Sequence, residues 1–259
     1  KKDTYEGITI VGRTMSGVVD LATLLFVFLI GGNLAAFLYA IMVLPIQQSH
    51  FFTVDPYATL FLTISLYLLI KKRIGWLLGL TVGLAIAAKI SSILIIPVVV
   101  LALIKGLTLP TQGETLKKLA KFILAFLLTL RIFYPYLFDG WGLNQLVLDN
   151  WKALKAFEGV NTSFPPAIQW FGVPFWKPTM DIILHGLGFP LGILATVRIT
   201  YHVSQVRKQK GNSMVLLLLW IFIILGYQSL QFAKAMRYFY PIYPALAVLT
   251  AQLLSRIQN

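Results

Sequence analysis

The stretch QSHFFTVDPYATLFLTISLYLLIKKR, Gln48–Arg73, decides how this chain is read. It sets one acid, Asp55, ahead of the uncharged run Tyr57–Ile70 and three cations, Lys71–Arg73, behind it. As a helix, such a run covers roughly 21 Å at ~1.5 Å per residue. That falls short of the ~30 Å hydrocarbon layer of a bilayer. Tilt, the flanking residues or an end buried in a protein-lined cavity has to make up the difference. A basic cluster at one end of an apolar run is also an orientation signal, because lysine and arginine favour the cytoplasmic side.

The same pattern recurs along the whole chain. Apolar segments fall at Thr14–Ile30, Leu34–Ile46, Tyr57–Ile70, Gly75–Ala88, Ser91–Ile104, Leu119–Phe138, Ile182–Thr200, Met214–Gln228 and Phe239–Leu254. Of 259 residues, 58% are hydrophobic and 12% charged, against about 25% charged in an ordinary soluble domain. The expected fold is therefore all-α: a polytopic membrane bundle of about nine transmembrane or half-spanning helices, in a single transmembrane domain over residues 1–259. The net charge of +13 is no nucleic-acid signature, since the cations lie between apolar runs and no soluble basic domain exists to carry them. With no cysteine, disulfide and thiolate chemistry are excluded. The start, KKDTYEGITIVGRTMSG, has no initiating Met and no signal-peptide core. It reads as an N-terminally incomplete chain.

Placing Lys71–Arg73 in the cytoplasm fixes the alternation. Gly75–Ala88 and Ser91–Ile104 then form two short helices that turn at AAKISS, returning Lys105 to the basic side. The segments KGLTLPTQGETLKKLAK and RITYHVSQVRKQKGNS are cytoplasmic too. The opposite, external face receives QSHFFTVDP, the stretch Asp139–Met180 and LQFAKAMRY. Eight of the nine acids, all but Glu114, then lie on or nearest that face. Residues 139–180 hold four of the six tryptophans and read as an external or interfacial segment, with LNQLVLDNWKALKAF as a helix along the headgroup layer. It serves as an aromatic anchor, as a roof over a lipid-binding cleft, or as both. Asn161, in NTS, is a glycosylation acceptor only in a eukaryotic secretory pathway.

No motif of a soluble enzyme is present: no P-loop, GxGxxG, HExxH or GxSxG. The chemistry-bearing residues collect on the external face instead. Asp55 precedes Pro56, which suits a helix N-cap, or else it faces a polar cavity, where a carboxylate near membrane depth is a functional candidate. His50 beside it is a weak metal ligand, and a divalent metal is the one cofactor the pattern admits. His185 fits a packing or interface role and His202 a solvated loop. Lys89, at the break between two apolar helices, either snorkels to headgroups or reaches a phosphate. Arg131 lies near mid-helix, where a guanidinium costs about 2.5–3.5 kcal/mol unless it meets protein or water. Lys234, Arg237 and Tyr238 either form a snorkelling rim or clamp an anionic headgroup. Together these cations and the carboxylate suit a phosphate-linked substrate whose lipid tail stays in the bilayer.

The stretches HFFTVDPYATLFLTISLYLL, GLTVGLAIAAKISSILIIP, RIFYPYLF, FPPAIQW and MRYFYPIYPALAVL, in this order and spacing, resemble the bacterial branch of the dolichyl-phosphate-mannose protein mannosyltransferase-like family, glycosyltransferases of the GT-C fold. The resemblance runs from about Gly12 to the C-terminal region. It implies an integral enzyme of the bacterial plasma membrane, with its site facing outside. The reaction implied is inverting transfer of a sugar from a polyprenyl-phosphate donor to an acceptor. It also implies that the catalytic aspartate belongs to a first external loop upstream of Lys1, so this chain alone is expected to be inactive. Asp55 matches the family's second acidic position, Lys89 a lysine at the helix break, and Arg237 a residue of a loop near the donor; His50 is carried over only weakly. The partners implied are the donor lipid and membrane lipids. The rival readings are a non-catalytic GT-C-like scaffold in a larger membrane complex and, further off, a lipid or solute transporter. The transporter reading would be favoured by inverted repeats, and none is visible.

Overall fold

The computed structural model describes residues 5–104, 112–157, 165–205 and 214–257. The helices are α1 (Tyr5–Ala40), α2 (Val43–Ser49), α3 (Asp55–Ile70), α4 (Trp76–Ala88), α5 (Ile96–Ile104), α6 (Gln112–Phe133), α7 (Gln145–Phe157), α8 (Pro165–Ile168), α9 (Lys177–Asp181), α10 (Phe189–Gln205), α11 (Val215–Leu230) and α12 (Tyr243–Ile257). A 3₁₀ turn, Ile90–Ile95, leads into α5, and a second, Met236–Ile242, leads into α12. Each apolar run of the sequence has its helix here. Glu6–Ala40 is long and apolar enough to cross a membrane by itself, whereas Asp55–Ile70, Trp76–Ala88, Ile90–Ile104, Phe189–Tyr201 and Val215–Leu230 are shorter.

The long helix is broken. Gly32 has φ 78° and ψ −171°, a conformation open essentially to glycine alone. In a straight helix, Asp20 and Tyr39 would stand roughly 28 Å apart at ~1.5 Å per residue. Their side chains instead meet at 2.6 Å. Gly32 therefore folds α1 back on itself, and the two legs correspond to the separate runs before and after Gly31–Gly32.

Small residues set the closest helix contacts. A Cβ at Gly79 would sit 2.3 Å from the Phe122 carbonyl oxygen, and one at Gly83 would sit 2.7 Å from Thr129 Cβ. Two glycines four apart thus let α4 lie directly on α6, as small-residue repeats do in membranes, where close van der Waals approach replaces hydrophobic drive. The contacts advance together along both helices, so α4 and α6 run parallel. Ser65 Oγ and Thr81 Oγ1, 2.8 Å apart, join α3 to α4 inside the bundle. Phe239, Tyr240 and much of α12 are buried in the centre. Leu116, Ile123, Leu124, Leu127, Leu128 and Ile132 of α6 are exposed, an apolar surface that suits lipid rather than water.

The stretch read as external is built from pieces. Phe138–Asp139 pairs with Gly142–Leu143 as a two-stranded hairpin, followed by α7, α8 and α9. The helix read in LNQLVLDNWKALKAF is α7, with Asp149 held by Lys152 and Gln145. Lys105, Glu158 and Asn161 lie outside the described residues.

Candidate functional site

Asp55 opens α3, with Val54 at the N-cap and Pro56 in the first turn. Its carboxylate makes no capping bond. It turns instead to Lys89, whose Nζ lies 2.5 Å from Asp55 Oδ1, and Asp55 is buried at 4% exposure. The local N-cap reading of Asp55 is thus replaced by a contact between residues 34 positions apart. Lys89 reaches this position because α4 stops there: its backbone is extended, at φ −153° and ψ 117°, between α4 and the 3₁₀ turn. That break, not the helix surface, aims the side chain inward.

Above the pair sits the Met236–Ile242 turn. Lys89 Nζ lies 5.0 Å from the Tyr238 ring centroid, and the Arg237 guanidinium lies 5.4 Å from the same ring. Both cations therefore flank one aromatic face, an arrangement worth about 0.5–2 kcal/mol per contact according to exposure. Arg237 is exposed, and its charge is held above the ordinary arginine range by a hydrogen bond with Tyr238 and by the Asp55 carboxylate. A groove of about 490 Å³ opens beside the pair, lined by Phe52, Tyr57, Phe61, Leu84, Ala88 and Phe133. Its walls are apolar, while the hydroxyls of two lining residues, Thr53 and Tyr57, are buried without a protein partner.

The structure brings together Asp55, Lys89, Arg237 and Tyr238, and gives three other candidates different partners. Arg131 lies in the last turn of α6, not near its middle; it is exposed and stacks 5.1 Å from the Phe138 ring. The end of the helix explains the difference: α6 stops at Phe133, ahead of Pro135, and does not run on to Phe138, which leaves Arg131 in its last turn. Lys234 donates to the backbone carbonyls of Gln231 and Phe232 at the end of α11. His50 is exposed, and its Nδ1 contacts the Ile46 carbonyl one turn back. Among the described residues no group of three His, Asp or Glu side chains could hold a metal.

One polar cluster was not legible in the sequence. Asp20, on the first leg of α1, accepts hydrogen bonds of 2.6 Å from both Tyr39 and Tyr240. The sequence does carry its trace, an acid inside an apolar run, but alternation by side counts such an acid toward a face instead of placing it in the interior.

An all-α bundle with broken, short helices around a buried ion pair is an integral membrane architecture of GT-C type. No family model matches the chain, and no curated protein matches it in sequence. Among solved structures, the fold is similar to that of ArnT from Cupriavidus metallidurans in the apo state, with a TM-score of 0.57 and 15% identity. The match covers 95% of this chain and 45% of that one, so the chain spans less than half the length of that protein.

Proposed function

We propose that this chain forms the donor-binding part of a membrane glycosyltransferase, which transfers a sugar from a polyprenyl-phosphate carrier to an acceptor on the external side. The observation that carries this is the convergence of Lys89, Arg237 and Tyr238 on buried Asp55, with an apolar groove lined by the adjoining residues Val54 and Ala88. A lipid-linked sugar phosphate needs these features together: an apolar track for the chain, cations for the phosphate, and an acid near the sugar. The fold shared with ArnT is consistent with such a substrate.

In the reaction, an acceptor hydroxyl attacks the anomeric carbon from the face opposite the phosphate. The C1–O bond to phosphate breaks, the configuration inverts, and the hydroxyl proton passes to a carboxylate base of the full-length protein. Negative charge grows on the departing polyprenyl phosphate. Lys89 and Arg237 stabilise it as charges already positioned where the new charge develops. Asp55 holds Lys89 in place and offers its second oxygen to the sugar hydroxyls. Lys71–Arg73, at the far end of α3 from Asp55, roughly 24 Å away at ~1.5 Å per residue, favours the external placement of the site.

The test uses the full-length protein in nanodiscs with a labelled polyprenyl-phosphate sugar and a panel of hydroxyl acceptors. Wild type should release polyprenyl phosphate, and Lys89→Met should slow release by about 100-fold, the loss typical of one preorganised charge contact. Equal release by wild type and Lys89→Met would remove Lys89 from the chemistry.

A further inference from the structure

The Asp20 cluster has no part in the reaction just described, yet it touches the same segment. Asp20 lies within the apolar run of α1, where a carboxylate is costly and needs a reason to be kept. Its Oδ1 accepts from Tyr39 on the return leg of α1 and from Tyr240 in the Met236–Ile242 turn, both at 2.6 Å. The two hydroxyls are 3.2 Å apart, and both tyrosines are fully buried. Tyr240 belongs to the same turn as Tyr238, whose ring lies 5.0 Å from Lys89 Nζ, which links the cluster to the ion pair.

The Met236–Ile242 turn depends on outside support. It runs for seven residues, whereas 3₁₀ geometry rarely persists beyond about four. Pro241 contributes no N–H, and no side chain caps the start. Two side-chain bonds anchor it: Tyr240 to Asp20, and Trp220 Nε1 to the Pro241 carbonyl at 2.9 Å. Between these anchors and Ala235 ride Arg237 and Tyr238. The α1 hairpin does not need Asp20 for its own cohesion, since Val27, Ala35 and Leu38 are already packed in the core. An apolar residue at position 20 could fill the same space, and such replacements of buried charge are often tolerated. It could not, however, accept the Tyr240 hydroxyl and so fix the rotation of the turn.

We propose that Asp20 is a positioning residue: through Tyr240 it holds the Met236–Ile242 turn so that Arg237 and Tyr238 stand beside Lys89 and Asp55, and it thereby sets affinity for the donor phosphate without touching it. This rests on the donor-phosphate reading above.

Two measurements on the full-length protein in nanodiscs test it: affinity for polyprenyl phosphate, and amide hydrogen exchange over residues 236–242. Asp20→Asn and Tyr240→Phe should each speed exchange in that turn and weaken binding, both by about tenfold, the scale of one charge-assisted hydrogen bond. Exchange in α4 and α6 should stay unchanged. Tyr39→Phe, which leaves the Tyr240 bond intact, should have the smaller effect. The double variant Asp20→Asn, Arg237→Ala should bind no more weakly than Arg237→Ala alone, because the cation that the turn presents to the phosphate is already gone. Additive losses, or unchanged exchange in the turn, would overturn the proposal. Should Asp20→Asn not fold, Tyr240→Phe carries the test, as it keeps the ring and the carboxylate. If Arg237→Ala binds like wild type, the phosphate reading fails and exchange alone decides: loosening by both variants supports positioning, and none overturns it.

Discussion

Lys89 Nζ and Asp55 Oδ1 are 2.5 Å apart, with side-chain exposures of 20% and 5%. The pair joins the start of α3 to the end of α4, and Lys89 meets the Met236–Ile242 turn at Tyr238, beside Arg237. Removing one partner leaves a buried charge without compensation, at a cost of about 3 kcal/mol; the partial exposure of Lys89 puts it at the low end of the usual range. Asp55→Asn should therefore lower stability as well as transfer. The double variant Asp55→Leu, Lys89→Met should recover stability to within about 1 kcal/mol while remaining inactive. Thermal unfolding in detergent, alongside transfer by the full-length protein, separates the two effects. A double variant that still transfers sugar would make the pair purely structural.

Arg237→Ala should weaken polyprenyl-phosphate binding by about 10- to 150-fold, the range set by a charged hydrogen bond of roughly 1.5–3 kcal/mol. Titration of the lipid into the nanodisc-held protein measures it, and equal affinities would sink the clamp. The pH dependence has a definite sign. The Tyr238 hydrogen bond and the Asp55 charge raise the Arg237 pKa above its ordinary value. A cation with a raised pKa stays charged below its unfolded value and is lost only on passing its folded one. Affinity should accordingly show no fall from this group between neutral pH and about pH 9.

Gly32→Ala isolates the turn of α1. A Cβ there meets no atom within 4 Å, so the penalty is backbone strain alone, about 1–3 kcal/mol at such φ and ψ. Gly17, helical and equally open, provides the control: Gly17→Ala should be neutral or stabilising by up to about 1 kcal/mol. Comparing the two melting temperatures settles whether the reversal, and with it the Asp20–Tyr39 contact, depends on glycine at 32.

Gly79→Ala tests the seat of α4. The added methyl would lie 2.3 Å from the Phe122 carbonyl oxygen, a backbone atom that cannot swing aside, so α4 must move at a cost of about 1–3 kcal/mol. Because α4 ends at Lys89, transfer should fall with stability. Gly226→Ala, with open space around it, should leave transfer unchanged and stability unchanged or raised by up to about 1 kcal/mol.

Much of the architecture is written in local order. Apolar runs ending in Lys71–Arg73, a break at Lys89 and a proline after Asp55 are consequences of hydropathy, charge side and backbone chemistry. Each is readable within a few residues, and the helices follow them. Arg131 was misplaced because the apolar run continues to Phe138, past the point where Tyr134–Pro135 ends α6. Asp55 looked like a helix cap because a cap is the local use of such a residue, whereas its partner comes from the next helix. Asp20 was the least legible, since its two tyrosines lie 19 and 220 positions away. By itself, the sequence determined that this chain is an all-α membrane bundle and which residues are polar enough to build a site. Only the tertiary structure decided which of them meet. Burial makes an unpaired polar group costly, so Asp55 and Asp20 are held by the partners that packing brings, and packing joins residues that no local pattern relates.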